Sequence, residues 1–281
     1  MPILFADDSN LFENNVDIHQ IQYDINQELA EISTWLKVNK LSLNIKKTQY
    51  MVFSNKNVKI PDISLQIEGQ SIARTRCSKF LGVYIDDQLN WKHHIRYISN
   101  KVSKGIGVII KARGLLSRAS LIQLYYSFVY PYLNYCNHVW GSTYISNLRQ
   151  LIVLQKKAVR IISHVSTREH TDPLFMQLNL LKLQDINKYV LGCFMFRYHK
   201  NETPEVFDNF FESNIDIHQY YTRQLAHLHV PKVRTELGKR GLRFRGVYIW
   251  NAILNLNVDT NVSEFIFKRN YKRVLISGKL S

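Results

Sequence analysis

The spacing of apolar residues predicts a hairpin and a long helix at the start of the chain. Apolar residues flank the acidic pair Asp7-Asp8, as in two short strands joined by a tight turn. Asp17 is placed to cap a helix, with Gln20 three residues further on as in a capping box. Residues 18–36 carry apolar side chains at spacings of three and four, which predicts a helix of about five turns that ends near Asn39.

Shorter alternating segments predict strands after this helix. Apolar residues alternate over 41–45, a polar break follows at 46–48, and apolar residues resume over 50–53, which predicts a hairpin. The alternation at 63–67 and the apolar run at 79–85 predict two further strands. We therefore expect the first part of the chain to form an α+β fold, with one long helix on a small sheet.

In the middle of the chain the apolar spacing becomes helical. Apolar stripes predict one helix over 95–109, another from Ser117 towards Pro131, a third over 148–162 and two more within 172–200. Basic residues lie mostly off these stripes, which is typical of short helices packed in a bundle. Past these helices the pattern weakens, and we expect a mixed but mostly helical region.

Length and composition are those of a chain that buries a core. The 281 residues are 46% hydrophobic, which is enough for two or three domains. No apolar run approaches the length of a membrane span, and the N-terminus lacks a signal peptide, so no segment is expected to cross a membrane. The three cysteines are far apart and odd in number, which argues against a disulfide framework and favours an intracellular location, in the nucleus or the cytoplasm.

The positive charge is concentrated in the middle of the chain. The formal net charge is +15. Residues 1–90 carry 9 Lys and Arg against 11 Asp and Glu, residues 91–200 carry 16 against 3, and residues 201–281 carry 12 against 8. A concentrated basic segment indicates a polyanionic partner, with nucleic acid first and a membrane surface second. Its basic residues are interspersed with apolar ones, as on the face of a folded domain.

Two adjacent carboxylates on a hairpin favour a cation. Asp7 and Asp8 repel each other unless solvent or a metal ion neutralises them, and Mg²⁺ takes oxygen ligands of this kind. The pair therefore has two interpretations, a metal-dependent phosphoryl-transfer centre and a solvated turn. Among the weaker candidates, Asp86-Asp87 is interpreted as a solvated turn, and neither His93-His94 nor His227-x-His229 has partners at zinc-ligand spacing.

Three short motifs follow one another in the first ninety residues. They are Phe5-Ala6-Asp7-Asp8, the segment Asn44 to Thr48 after the long helix, and Phe80-Leu81-Gly82 followed by Leu89-Asn90-Trp91. In this order they resemble the reverse transcriptases of non-LTR retrotransposons, with the jockey-like branch most similar. In that family they are the active-site hairpin of the palm, the motif D turn and the primer-grip hairpin (motif E), and a basic helical thumb comes next. The resemblance continues weakly at 221–223 and 246–251.

The resemblance implies a role for each motif. Asp7 would ligate the catalytic Mg²⁺ pair with Asp8 assisting, since two metal ions clamp the attacking and leaving oxygens of an in-line displacement. Lys47 would lie near the departing pyrophosphate, although a turn also favours a solvated lysine. Phe80-Leu81-Gly82 would hold the primer end, and its alternative is an ordinary buried strand with one glycine.

The resemblance also implies four regions and a nucleic-acid partner. They are a partial palm at 1–60, a motif E hairpin at 61–90, a basic helical thumb at 91–170 and a mostly helical region at 171–281. An RNA template and a DNA primer would contact the thumb through phosphates, which gives binding that is independent of sequence and weakened by salt. The alternative is a merely solvated face. The candidate contacts are Lys101, Lys104, Lys111, Arg113 and Arg118.

One departure from the family limits the expected activity. The fingers, the first catalytic aspartate and the nucleotide-selecting motif all precede the active-site hairpin in the family, whereas four residues precede Phe5 here. We therefore expect the C-terminal part of an RNA-directed DNA polymerase that is inactive alone and takes dNTP only if the missing palm half is supplied. The alternatives are a non-catalytic nucleic-acid-binding remnant and a fragment that folds poorly because a strand edge is exposed.

Overall fold

The computed structural model describes residues 2–5, 8–54, 61–217 and 227–278. The chain divides into two compact units, Met1–His93 and His94–Ser281. The first unit combines α and β structure and the second is helical, whereas the finer division into four regions stays a prediction. The elements of the first unit are, in order, β1 (Pro2–Phe5), β2 (Asp8–Leu11), α1 (Ile18–Val38), β3 (Gln49–Tyr50), β4 (Gln66–Ile67), β5 (Gln70–Ser71), β6 (Ala73–Arg74), β7 (Cys77–Phe80) and β8 (Val83–Asp86).

The N-terminal strands and the long helix form as predicted. β1 and β2 pair in antiparallel fashion, with Phe5 opposite Asp8. The Asp17 carboxylate caps α1 by accepting the His19 N–H at 2.9 Å. The other bond of the expected capping box, from the Gln20 side chain back to the Asp17 backbone, is a wrong prediction. The Gln20 amide donates to Asp24 Oδ1 at 2.8 Å instead. At the other end of α1 the C-cap is Asn39, as predicted.

α1 is attached to the strands by an apolar core and by its own side-chain amides. Asn26 Nδ2 donates to the Ser64 carbonyl and Asn26 Oδ1 accepts the Gln66 N–H, both at 3.0 Å. Gln22 Oε1 accepts the Ser64 N–H at 2.9 Å. These bonds satisfy backbone groups that strand pairing leaves open along 63–67. The buried core of this unit consists of Leu29, Ile63, Leu65, Ile67 and Ile72.

The expected hairpin directly after α1 is wrong. A single 3₁₀ turn at Ile45–Lys47 stands at the predicted polar break. β3 pairs in parallel with β6, with Tyr50 opposite Arg74, rather than with the segment before the turn. Leu41 and Leu43 are exposed. The alternation of apolar residues before the turn therefore marks no buried strand face.

Two tight hairpins complete the first unit. β4 pairs with β5, and β7 pairs with β8. The single strand expected over 79–85 is wrong, because a turn at Leu81-Gly82 interrupts it. Both turn residues have positive φ, 46° for leucine and 84° for glycine. A two-residue turn of this kind matches the twist of the flanking strands, so the hairpin implied by the family resemblance is present.

The rest of the chain is helical and is packed around one central helix. α8 contacts α4, α5, α6, α11 and α12. The helices predicted between residues 95 and 200 are all present, and short helices follow in the C-terminal region. The elements are α2 (Lys92–Ala112), α3 (Arg118–Phe128), α4 (Tyr130–Asn134), α5 (Asn137–Trp140), α6 (Ile145–Ile162), α7 (Asp172–Gln177), α8 (Leu183–His199), α9 (Asn214–Ile217), α10 (Glu236–Arg240), α11 (Leu242–Asn255) and α12 (Glu264–Ile276).

Two glycines allow helices to approach closely in the second unit. A Cβ atom at Gly105 of α2 would collide with the carbonyl oxygen of Phe128, the last residue of α3. A Cβ atom at Gly192 of α8 would collide with the ring of Tyr271 in α12. A side chain at either position therefore requires one helix to move. α12 also packs on α8 through the stacked rings of Phe196 and Phe267, whose centroids are 4.2 Å apart.

A buried glutamine connects three segments of the bundle. Gln155 of α6 is buried, and its amide nitrogen donates to Tyr125 Oη in α3 and to the Leu181 carbonyl, both at 2.9 Å. Its amide oxygen accepts the Leu183 N–H at the start of α8, at 2.8 Å. All these groups are buried away from water, so the Gln155 amide supplies the hydrogen bonds that solvent cannot.

The described helices and cysteines add two facts. In the part of the chain that the structure describes, no helix is both long and apolar enough to cross a membrane. Cys77, Cys136 and Cys193 are free thiols. Burial raises the pKa of Cys193 to about 12 and keeps it as an unreactive thiol.

Substitution of Gln155 tests the importance of this junction. Gln155→Leu keeps the volume but leaves a hydroxyl, a carbonyl and an N–H unpaired, so we expect the free energy of unfolding to fall by about 2–4 kcal/mol. Urea unfolding followed by circular dichroism measures it. Gln150→Leu, at an exposed position of the same helix, is the matched control and should change the value by less than about 0.5 kcal/mol. Equal unfolding midpoints for the two variants would contradict the assignment.

Candidate nucleic-acid interface

The predicted metal ligands fall at the edge of what the structure describes. Asp7 and the side chain of Asp8 lie outside the described residues, and only the backbone of Asp8 is placed, at the start of β2. Within the described residues, no group of three or more His, Cys, Asp or Glu side chains lies close enough to hold a metal ion. The described residues therefore do not by themselves fit a Mg²⁺ site.

Lys47 lies in the short turn after α1. Its side chain is exposed at the end of the 3₁₀ turn, and its N–H donates to the Asn44 carbonyl at 2.9 Å. The same carbonyl accepts the Thr48 N–H at 3.2 Å. The Asn44 side chain makes no capping bond, so its backbone carbonyl holds this turn.

The Phe80-Leu81-Gly82 motif forms the tip of the β7–β8 hairpin. Phe80 lies opposite Val83 at the closing pair of the strands. Leu81 is 37% exposed and adopts left-handed backbone geometry, which is costly for a residue with a Cβ atom. The hairpin therefore presents an apolar side chain to solvent on a strained turn. Such strain is typical of functional loops and persists only where the surrounding structure enforces it.

Asp86 organises the connection from this hairpin to α2. The interpretation of Asp86-Asp87 as a solvated turn is wrong for Asp86, which is buried. Its carboxylate accepts the N–H groups of Gln88 at 3.3 Å, Asn90 at 3.0 Å and Trp91 at 2.8 Å. Burial without a cation is possible because these donors replace water around the charge.

The loop that Asp86 holds is itself strained. Leu89 and Trp91 both have positive φ, 51° and 66°. Asn90 Oδ1 then accepts the Lys92 N–H at 3.0 Å, in the first turn of α2. The start of the basic helix is thus fixed to the end of the hairpin by one carboxylate and one amide.

Two of the five predicted phosphate contacts point into solvent from α2. Lys104 and Lys111 are seven residues apart, hence on one side of the helix, and both are exposed. Ile98, Val102 and Ile109 are buried on the opposite side. Lys101 differs, since it is half-buried with its ammonium 5.6 Å from the centre of the Tyr97 ring.

The other two predicted contacts lie where helices end. Arg113 follows α2, and its Nε–H donates to His164 Nδ1 at 3.3 Å, just after α6. This bond brings the C-terminal ends of the two basic helices together. Arg118 is exposed in the first turn of α3. A cation in the first turn of a helix is repelled by the helix dipole, so its own helix does not stabilise the Arg118 guanidinium. The guanidinium can instead interact with solvent or with an anion.

α6 adds basic residues that the sequence prediction did not select as contacts. Arg149, Lys156 and Arg160 recur at spacings of seven and four residues, which places them along one side of α6. Arg160 is oriented by its Nε–H, which donates to the Glu169 carbonyl at 2.8 Å. The helical period and the basic residues were both visible in the sequence, but only the Arg113–His164 contact shows that this helix adjoins α2.

Electrostatics favour an anionic partner across this surface. Residues 88–168 contain 12 Lys and Arg and no Asp or Glu, so α2, α3 and α6 carry no acid to compensate their cations. Cations without a compensating acid attract polyanions, and the binding of a polyanion releases its counterions. We call a set of exposed and half-buried basic side chains on α2, just after it and on α6 the basic face; they are Lys104, Lys111, Arg113, Arg149, Lys156 and Arg160.

The histidines that were considered as zinc ligands have other surroundings. His94 is buried and packs edge-on against Trp140, with ring centroids 5.4 Å apart. Burial lowers the pKa of His94 to about 4, so the imidazole is neutral in the folded protein at physiological pH. His93, its neighbour, is exposed at the start of α2.

The chain is a distant relative of the RNA-directed DNA polymerases of mobile elements. It is 26% identical over 197 residues to the RNA-directed DNA polymerase from mobile element jockey of Drosophila melanogaster. The Drosophila funebris jockey polymerase is 26% identical over 184 residues, and the probable polymerase from transposon BS of D. melanogaster is 24% identical over 187 residues. The resemblance to jockey-like reverse transcriptases is therefore confirmed.

These matches cover most of this chain but little of its relatives. They span 69%, 64% and 64% of this chain and 21%, 20% and 20% of the respective polymerases. The chain thus matches about a fifth of the length of the curated relatives. No protein-family model matches the sequence, and no solved structure matches it significantly.

Asp86 and its neighbour provide a test of the capping role. We expect Asp86→Ala to leave three N–H groups without their carboxylate partner, that of the buried Trp91 among them, and to weaken the local structure by about 2–3 kcal/mol, or roughly a 30- to 150-fold loss of amide protection. Hydrogen exchange of the peptide that covers residues 77–92 measures this loss. Asp87→Ala removes the same charge without these bonds and should change protection less than about threefold. Equal effects of the two substitutions would show that charge alone matters.

Proposed function

We propose that the chain belongs to a mobile-element RNA-directed DNA polymerase, and that its basic face binds a primer–template duplex. The observation that carries this proposal is the acid-free stretch 88–168, whose cations project from α2 and α6 directly after the Phe80-Leu81-Gly82 hairpin. The family likeness supports the same reading, because the jockey relatives are named as RNA-directed DNA polymerases.

The roles along the duplex follow from the positions of the residues. The ammonium groups of Lys104 and Lys111 bind phosphates of one strand, and the basic residues of α6 bind a neighbouring stretch of backbone. The exposed Leu81 at the hairpin tip packs against the primer end, where a sugar and base offer an apolar surface. These contacts position nucleic acid without reading its sequence.

The chemistry of nucleotide addition belongs to the carboxylates of the first hairpin. In this proposal Asp7 and Asp8 are two ligands of a Mg²⁺ pair, and Lys47 is the cation that stabilises the departing pyrophosphate. The metal pair, when bound, supplies a clamp for the attacking and leaving oxygens. Since the described residues do not hold a metal site of their own, we assign no catalytic step to them.

A second candidate function is binding without catalysis. The basic face is complete within the described residues, whereas the carboxylate set of the polymerase is not. A polypeptide of these 281 residues then acts as a nucleic-acid-binding protein related to a polymerase. Binding and primer extension separate the two functions.

Neutralisation of the basic face should weaken duplex binding in a salt-dependent manner. For the double variant Lys104→Gln, Lys111→Gln, we expect the Kd for an RNA–DNA duplex to rise about tenfold and the slope of log K against log salt to fall by about 2. Fluorescence anisotropy across a salt series measures both. The matched control is Lys232→Gln, Arg234→Gln, which removes two exposed cations from the C-terminal region and should leave the slope unchanged. Unchanged affinity in the first variant would refute the assignment.

Primer extension tests the catalytic half of the proposal. With Mg²⁺, oligo(dT) on poly(rA) and dTTP, we expect a polypeptide of these 281 residues to incorporate no nucleotide above background, because two carboxylates hold the metal pair less well than the three-carboxylate set of the family. Asp7→Asn is the control and should be indistinguishable from the unmodified chain. Incorporation that disappears in Asp7→Asn would contradict the prediction and identify a working active site.

A further inference from the structure

Tyr144 and Arg240 form a stacked pair that the polymerase assignment does not use. The guanidinium carbon of Arg240 lies 3.3 Å from the centre of the Tyr144 ring. Tyr144 nevertheless remains 46% exposed. A pair formed only to bury the ring would leave less of it in solvent, so a large part of this aromatic surface is available to a ligand.

Both members of the pair are held on defined backbone. Tyr144 directly precedes α6, and Arg240 ends α10. The Thr235 hydroxyl caps α10 by accepting the Gly238 N–H at 3.1 Å, and a side chain at Gly238 would collide with Val233. The pair is therefore organised before any ligand arrives, which lowers the entropic cost of binding.

A second chain of contacts brings further elements to the same region. Arg245 Nη2 of α11 donates to Asn187 Oδ1 at 3.4 Å, and Asn187 Nδ2 donates to the Asn137 carbonyl of α5 at 3.1 Å. α11 and α5 are thus neighbours, and each has an exposed tyrosine on it or beside it. Tyr248 is 58% exposed on α11, and Tyr135 is 53% exposed just before α5.

The charge around the pair favours an anion. α5 and α6 belong to the stretch that contains no acid. On α10, Glu236 is engaged by Lys239 at 2.8 Å. Among the ion pairs of the described residues, none involves Arg240 or Arg245. Glu236 also attracts Arg240 electrostatically, without an ion pair to it. Exposed aromatic rings next to arginines that form no ion pair are the components of surfaces that bind unpaired bases.

We propose that the Tyr144–Arg240 pair is a stacking site for an unpaired base, and that the surface around it binds a single-stranded segment of nucleic acid. The proposal rests on the proposed function only in that the partner is a nucleic acid. Base stacking on a tyrosine is tolerant of sequence, and Arg240 adds a planar cation that stacks and attracts phosphate.

This site lies at the opposite end of α6 from Lys156 and Arg160 of the basic face, whereas Arg149 of the basic face is only about one and a half turns from Tyr144. Arg160 and the Arg113–His164 contact lie at the C-terminal end of α6, whereas Tyr144 lies at its N-terminal end. The 18 residues of α6 separate the two ends by about 27 Å. A base inside a duplex is stacked on its neighbours and is not free to stack on a side chain, so the two sites are separable by substitution and by ligand.

The test compares single-stranded with double-stranded ligands on the full chain. We expect Tyr144→Ala and Arg240→Lys each to weaken binding of a labelled twelve-nucleotide oligouridine by about fivefold or more, and of a blunt RNA–DNA duplex by less than twofold. Oligothymidine in parallel shows whether the site prefers RNA or DNA. Tyr23→Ala, at an exposed tyrosine of the other unit, and Arg234→Lys are matched controls and should leave both affinities unchanged.

One further variant and one further measurement guard against misfolding. Tyr144→Trp keeps a stacking ring and should bind the oligonucleotide as tightly as the unmodified chain. Arg240→Lys keeps the charge, so the salt dependence of its binding should equal that of the unmodified chain. Unchanged oligouridine affinity in both Tyr144→Ala and Arg240→Lys, or equal losses for the duplex, would overturn the proposal. If the Lys104, Lys111 double variant loses duplex binding but keeps oligouridine binding that depends on Tyr144, both sites are supported. If the unmodified chain binds oligouridine but no duplex, only the proposed function is refuted.

Discussion

The helical unit depends on one buried amide. Gln155 donates one hydrogen bond to α3 and one to the carbonyl of Leu181, and it accepts one from the N–H of Leu183 at the start of α8. The positions of three segments are therefore specified together. Apolar packing alone tolerates sliding of one helix along another, whereas a buried amide is satisfied in one register. Because Lys156 and Arg160 lie on the helix that carries Gln155, this register also determines where the cations of α6 stand.

Charge and strain meet at the beginning of α2. Asp86 and Asp87 are the last carboxylates before 81 residues without one, and Asp86 is spent on three backbone N–H groups rather than on a cation. The cations that follow therefore repel one another with little internal compensation, and the apolar core of the bundle must offset that repulsion. A polyanion relieves it, which links the stability of this unit to its proposed ligand.

Periodicity predicted the helices well where one side of the helix is buried and the other is not. It succeeded for α1, α2 and α6, and it did not single out α11, although Gly246, Val247, Ile249 and Trp250 are buried on that helix. Alternation misled at Leu41 and Leu43, since no sheet covers them. The strand expected through Leu81-Gly82 is a hairpin because both residues adopt positive φ, which hydropathy does not encode. Asp86 and the Tyr144–Arg240 pair required tertiary structure, because backbone donors and distant partners leave no local pattern.

The close approach at Gly105 has a consequence for how this molecule tolerates change. Gly105 lies beside Lys104 in the chain, yet its hydrogen atom faces the Phe128 carbonyl while the lysine faces solvent. A residue that never meets a ligand thus sets the rotation of α2 about its axis and, with it, the direction of the neighbouring ammonium group. A substitution at Gly105 would therefore redirect the basic face as effectively as the loss of a cation. The geometry of this surface depends in part on the absence of a side chain at Gly105.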